Sequence, residues 1–184
     1  MRKIAARLFV SLDGVVEAPE TWVPPYAGDE FTETMLASMA ESDALLVGRR
    51  TYEVFAASWP ERGTEEPMAA YMNTVPKFVA STTLDRADWN NSTVLNGDIG
   101  KEITALKQQT GKNINVAGSA TLVEWLLRQQ LLDELSLLIF PVIVGKGQRL
   151  FTDGGDKVPL RLLESRSFTT GVQSAAYAPA PADG

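Results

Sequence analysis

Residues 112–151 read KNINVAGSATLVEWLLRQQLLDELSLLIFPVIVGKGQRLF, and the rest of the chain is assigned outward from them. The short, mostly apolar run at 114–117 has the length and side-chain type of a strand. Gly118-Ser119 then turns the chain. Leu122, Val123, Leu126 and Leu127 recur at helical spacing, with Thr121, Glu124 and Arg128 on the opposite side. Ser119 or Thr121 is placed to cap this helix, and Thr121 with Glu124 also fits a capping box. A second apolar run at 135–144 fits a buried strand. Strand, tight turn of small residues, helix and strand form a βαβ unit. Its first turn points free backbone N–H groups above the sheet, a setting suited to phosphate.

Composition narrows the chemistry. The 184 residues suit one domain with a single sizeable core, and 45% hydrophobic content is ordinary for a globular protein. There is no cysteine, so no disulfide framework, thiol nucleophile or Cys-based zinc site. There is no histidine, so no Ser–His or Cys–His dyad, and no metal site is expected. Proton chemistry falls to carboxylates, Tyr, Lys or water. A net charge of -6 argues against a nucleic-acid surface. No run is apolar for long enough to span a bilayer, and the basic start MRKIAARLFV leads straight into a strand-like segment without a cleavage site. A cytoplasmic protein is expected.

Outside the βαβ unit, residues 2–12 are β-like and end at Ser11-Leu12-Asp13-Gly14. A long loop, 15–28, carries Pro19, Pro24, Pro25, Trp22 and Tyr26; loops of this length in compact domains often act as lids. A helix is expected at 29–41, a short buried strand at 44–47, a second helix from Gly48-Arg49-Arg50-Thr51 onward, and a third at 66–73. Strands follow at 77–80 and 93–95, then a helix at 98–109 capped by Asp98. Residues 161–168 and 171–177 read as a closing antiparallel hairpin. The class is α/β: a mixed, mostly parallel sheet flanked by helices, with an antiparallel end. Residues 1–177 make one domain, and the Ala/Pro-rich tail 178–184 is expected to be disordered.

Three strand ends carry turn chemistry suited to a nucleotide: Gly48-Arg49-Arg50-Thr51, Ser81-Thr82-Thr83 and Ala117-Gly118-Ser119-Ala120-Thr121. Each alone is as well explained by a capped helix start or a loop. Together they would offer helix N-termini and two arginines to phosphate. The common fingerprints fail: Leu150 stands where a G-x-G-x-x-G starting at Gly145 needs its third glycine, and neither Gly-Lys pair completes a P-loop.

At this point the chain resembles the dihydrofolate reductase superfamily, and more closely its bacterial branch homologous to the reductase (C-terminal) domain of bifunctional riboflavin-biosynthesis proteins. The resemblance spans about residues 3–177. It rests on SLDG after the first strand, DALLVGRRTYEVF, FVAST, and the 112–151 stretch with Asp133-Glu134-Leu135, Pro141 and Gly145-x-Gly147-x-x-Leu150-Phe151 in order. It implies a dihydrofolate-reductase-like fold and NADPH as cofactor. Gly48, Arg49, Arg50 and Thr51 match the turn that meets the pyrophosphate and 2′-phosphate. Ser81 and Thr82 match the adenosine-phosphate side. Ala117, Gly118, Ser119, Ala120 and Thr121 match the turn under the pyrophosphate, and Val16 would sit near the nicotinamide. Asp13 matches the substrate-facing Asp of SLDG. Two departures stand out: Ala117-Gly118 replaces the paired glycines that carry a cis peptide in dihydrofolate reductase, and the first-helix carboxylate has no aligned counterpart among Asp29, Glu30 and Glu33.

The expected function is NADPH-dependent reduction of a small planar heterocycle, pterin- or pyrimidine-like. Asp13 is the candidate to orient the substrate or relay a proton; its alternative is a capping Asp in an Asp-Gly turn. Trp22 and Phe31 could stack on the heterocycle or belong to the core. Lys146 and Arg149 read as solvated residues, and Glu17 is open to a site role or to that of an exposed loop residue. The alternatives are a binding protein that holds NADPH or a pterin without turnover, and a bare oligomer scaffold. A homodimer is implied by the resemblance alone.

Overall fold

In the computed structural model, residues 1–152, 155 and 157–180 are described. Strands β1 (Ile4–Ser11), β2 (Ser42–Gly48), β3 (Lys77–Ala80), β4 (Ser92–Leu95), β5 (Asn113–Val116), β6 (Glu134–Phe140), β7 (Leu160–Ser167) and β8 (Gln173–Pro179) form one sheet of order β4-β3-β2-β5-β1-β6-β8-β7. The first six in that order run parallel; β8 and β7 are antiparallel. The βαβ unit is present, but β1 lies between its two strands: Ala6 pairs with Val116 of β5 and with Leu135 of β6.

Alternation along the strands divides the interior. Ala44 and Leu46 of β2 face α4 (Ile99–Gln108) and α5 (Ala120–Arg128), in a cluster with Ile103, Leu126 and Leu135. Leu45 and Val47 face α2 (Arg49–Ser58) and α3 (Pro67–Thr74), in a cluster with Tyr52, Met72 and Trp89. A further cluster, with Trp22, Phe140, Phe168 and Met35 of α1 (Asp29–Ala40), fills the same side beneath the long loop. From Ala44 to Val47 both faces of β2 are buried, and that stretch runs apolar.

Several boundaries move for local reasons. β6 stops at Phe140 rather than continuing to 144, because Pro141 has no N–H for the ladder and Val142 N–H turns back to the Phe140 carbonyl at 2.8 Å. Asp98 caps α4 as expected, accepting from Lys101 N–H. Of the two candidate caps for α5, Ser119 is the one used and accepts from Leu122 N–H at 3.4 Å, while Thr121 sits inside the helix. Ala178 and Pro179, expected to lie in the tail, belong to β8 and pair with Arg161 and Leu160; residues 181–184 of the expected tail lie outside the described residues. No helix among the described residues is long and apolar enough to cross a membrane.

Candidate functional site

The three predicted turns follow three adjacent parallel strands, β3, β2 and β5. Gly48 is paired with Ala80, and Leu46 with Val116, so their carboxyl ends open on one edge of the sheet. The turns at 48–51 and 117–121 interlock. Gly48 N–H donates to the Gly118 carbonyl at 3.0 Å. A Cβ on Gly48 would lie 2.7 Å from Ser119 Oγ, and one on Gly118 would lie 3.0 Å from Thr51 Oγ1. Gly118 has φ 127°, open to glycine, and the Gly118–Ser119 peptide is cis. The cis bond thus sits one residue after the position that Ala117-Gly118 would match.

Two helix N-termini meet at this contact. α2 starts directly after Gly48 with no side-chain cap, so its first N–H groups are unused. At α5, Ser119 takes the Leu122 N–H and leaves those of Ala120 and Thr121. Arg49 and Arg50 are exposed on the first turn of α2. Arg49 faces Glu53 at 3.5 Å, whereas Arg50 forms no ion pair among the described residues. At the third turn, Ser81 is buried and its Oγ accepts from Thr83 N–H and Leu84 N–H at 3.2 and 2.9 Å, so this hydroxyl holds the turn. Thr82 is the exposed member of the pair. Behind α2, Tyr52 OH accepts from Trp89 N–H at 2.9 Å and Trp89 Nε1 donates to Asn73 at 3.0 Å, tying α2 to the loop before β4 and to α3.

Beyond β5 the edge continues to β1 and the turn at Asp13. Its carboxylate is fully engaged. Oδ1 accepts from Ser11 Oγ at 2.6 Å and Val144 N–H at 3.1 Å, and Oδ2 accepts from Gly145 N–H at 2.8 Å. The Ser11 hydroxyl, with those two amides, holds the Asp13 carboxyl down to about 2. Glu17 and Arg149 are part of the same clamp: Glu17 Oε2 accepts from Gln148 N–H at 2.7 Å, and Arg149 donates to the Asp13 carbonyl.

Residues 2–174 match the sequence profile of the RibD C-terminal domain. The chain belongs to this family. It is 29% identical over 182 residues to the uncharacterized protein YyaP of Bacillus subtilis (strain 168), covering 96% of this chain and 94% of YyaP. A putative riboflavin biosynthesis protein from Shewanella sp. PV-4 superposes with a TM-score of 0.79 at 20% identity, over 98% of this chain and 99% of that one. The dihydrofolate reductase of Enterococcus faecalis complexed with NADP(H) superposes with a TM-score of 0.64 at 14% identity, over 96% of each chain. At these identities the structural likenesses are likenesses of fold, and the fold is dihydrofolate-reductase-like.

Within this RibD C-terminal domain, the structure gives each remaining candidate residue its surroundings. Asp13 braces the 142–149 loop, as its capping alternative has it; a carboxyl held down to about 2 is ionised at neutral pH, which suits orienting a substrate better than relaying a proton. Trp22 is buried, stands edge-on to Phe140 at 5.4 Å, and donates its Nε1–H to the Glu17 carbonyl at 3.0 Å, which makes it a core residue. Phe31 keeps some exposure but packs on Phe9 at 5.4 Å. Val16 is half-buried against the α5-side cluster, its N–H donated to the Gln148 carbonyl. Glu17 and Arg149 are anchors rather than free loop residues. Their one trace in the sequence is Gly147, whose φ of 120° and 3.0 Å clearance to Val15 demand glycine where the two loops touch.

Proposed function

We propose that this chain is an NADPH-dependent oxidoreductase acting on a small planar heterocycle. The supporting observation is the interlocked pair of helix N-termini at Gly48 and Gly118. Backbone approaches backbone there as closely as missing Cβ atoms permit, N–H groups free of side-chain caps line one edge, and Arg50 stands beside them without an ion pair among the described residues. This donor set fits a pyrophosphate with a neighbouring phosphate monoester. The α2 turn and the 120–121 amides would hold the pyrophosphate, and Arg50 with Thr82 would take the 2′-phosphate. The nicotinamide end would then reach toward β1 and the Ser11–Val16 turn. When bound, NADPH supplies the hydride; the chain's own residues orient it and exclude water, with the Asp13 clamp holding the turn beneath.

One observation favours a second reading. The Asp13 carboxylate is engaged on both oxygens, which suits a protein that binds NADPH without turning over. NADPH binding by fluorescence titration, followed by its consumption with a panel of pterins, pyrimidines, flavins and quinones, separates the two. Consumption with one acceptor establishes the reductase. Tight binding without consumption by any acceptor leaves the binding protein, and absence of binding removes both.

A further inference from the structure

A cation lies on the floor of the sheet beside the candidate cofactor site. Ala6 pairs with Val116 and with Leu135, and all three belong to the α5-side cluster. The next residue along each strand, Arg7, Ala117 and Ser136, therefore projects to the opposite face, beneath α1 and α2. Contacts agree with the register: Arg7 donates to the Thr34 carbonyl of α1 at 2.9 Å, and Ala117 packs with the α2 cluster. Phe9, two residues further along β1, stands 5.4 Å from Phe31 of α1 on this same face. Arg7, Phe9 and Ala117 are each half-buried, so helix packing leaves this strip of floor partly uncovered.

Arg7 is poised for an anion. Burial lowers its guanidinium from the ordinary value, against the pull of Glu134, Glu41 and Glu164. None of these carboxylates is within ion-pair distance, and Arg7 forms no ion pair among the described residues. Its side-chain hydrogen bond there goes to the Thr34 carbonyl, which leaves most of its N–H groups to spare. The groups near the Ser11–Val16 turn that could give up a proton are committed. Asp13 is held down to about 2. The hydroxyl and amide of Thr169, at 2.7 and 2.6 Å, lower Glu30 as well. Tyr26 donates its hydroxyl to the Pro141 carbonyl at 3.3 Å, and the chain has no histidine or cysteine.

A spare cation without a spare acid selects the acceptor's chemistry. Hydride added to a C=N bond leaves a strongly basic nitrogen anion, which needs an acid in the same step. Hydride added to a flavin or a quinone leaves a resonance-stabilised, weakly basic anion, which needs a cation beside it and can wait for water. Water has a place here: Arg7, Asn115 and Ser136 line a polar cavity of about 20 Å³, room for a water molecule. We propose, resting on the NADPH-reductase reading above, that Arg7 is an acceptor-binding residue and that the acceptor is a conjugated carbonyl ring of the flavin or quinone type. The acceptor gains a hydride from NADPH, which becomes NADP⁺, and is left as an anion. The Arg7 guanidinium holds that charge beside Ala117. Water then gives the anion its proton and leaves as hydroxide.

The full chain is given NADPH with riboflavin, a naphthoquinone or a dihydropterin in turn, and NADPH consumption is followed. Riboflavin and the naphthoquinone should be reduced and the dihydropterin should not; reduction of either ring alone names the source and upholds the proposal. Riboflavin carries no phosphate, so its response reports the charge of the ring. Arg7→Met should lower kcat roughly ten- to a hundredfold and leave the NADPH Kd, by fluorescence titration, within about twofold, because the charge exists only once transfer begins. Arg7→Lys keeps the charge and should retain more turnover than Arg7→Met. Should Arg7→Met fail to fold, Arg7→Gln keeps a donor for the Thr34 carbonyl and removes the charge, and the same loss is expected. Consumption with the dihydropterin alone overturns the proposal and leaves the reductase standing. So does an Arg7→Met or Arg7→Gln protein with wild-type kcat, or one whose NADPH binding falls as far as its turnover, because Arg7 would then serve only the fold or the cofactor. NADPH bound but consumed with no acceptor removes the reductase and this proposal together.

Discussion

Replacing Arg50 by alanine should weaken NADPH binding roughly ten- to a hundredfold and leave NADH within about twofold. Arg50 is exposed on the first turn of α2 and has no ion pair among the described residues, so no carboxylate competes for its guanidinium. A hydrogen bond to a charged group contributes about 1.5–3 kcal/mol, and about 1.4 kcal/mol is a factor of ten. NADH lacks the 2′-phosphate and loses nothing when that bond is removed. Arg49 is the internal comparison: it faces Glu53 at 3.5 Å with both side chains about half exposed. Such an exposed pair is weak, but it draws Arg49 along the helix, so Arg49→Ala should cost less than Arg50→Ala. Alanine favours helix, so α2 keeps its start in both variants. The assay is fluorescence titration with NADPH and NADH in parallel. Raising the salt should bring wild type toward Arg50→Ala for NADPH only. Equal losses for both cofactors, or a larger loss in Arg49→Ala, would refute the assignment.

Three further outcomes are expected. Gly48→Ala puts a methyl 2.7 Å from Ser119 Oγ and 3.3 Å from Ser119 N at an ordinary φ of -78°, so the harm is purely steric; thermal denaturation should show a loss of about 1–3 kcal/mol, with cofactor binding lost alongside, and a neutral result would mean the turns do not interlock. Asp13→Asn should lower the melting temperature by loosening the 142–149 loop and leave the neutral pH profile of any turnover unchanged. Because the Asp13 carboxyl is held at about 2, its contribution to stability is complete above pH about 4 and lost as pH falls through about 2, so the variant should flatten that acid limb, and a displaced neutral profile would restore a proton-transfer role. Lys77 is buried, bonded to the Val75 carbonyl at 2.9 Å and set 4.3 Å over the Trp89 ring, and burial pushes it down to about 8. The folded chain sheds this proton before the unfolded chain does, so its share of stability rises from pH about 8 to about 10.4. Lys77→Met should therefore be more stable than wild type at neutral pH, with the gap narrowing in alkali; a gap independent of pH would show that the burial cost is misjudged.

Much of this protein was legible because it is local. The βαβ unit, the start of α2 at Gly48-Arg49-Arg50 and the Ala117–Thr121 turn depend on residues close in sequence, where spacing and turn chemistry act directly. The pairing of these turns needed only the parallel order of β3, β2 and β5. Trp22 was open to two readings because an aromatic in a proline-rich loop has the same neighbours in sequence whether its ring meets a ligand or Phe140. The Ser81-Thr82 pair was likewise undivided until Ser81 was seen to close its own turn.

Composition and pattern by themselves determined the α/β class, the mostly parallel sheet with its antiparallel end, and the absence of histidine and cysteine side chains. Tertiary structure alone decided the insertion of β1 between β5 and β6 and the engagement of Asp13 by amides 131 and 132 residues away. The reason is range. Hydrophobic period and capping are set within a turn or two of the chain, whereas a carboxylate becomes a clamp or an acid according to which distant donors the fold brings to it.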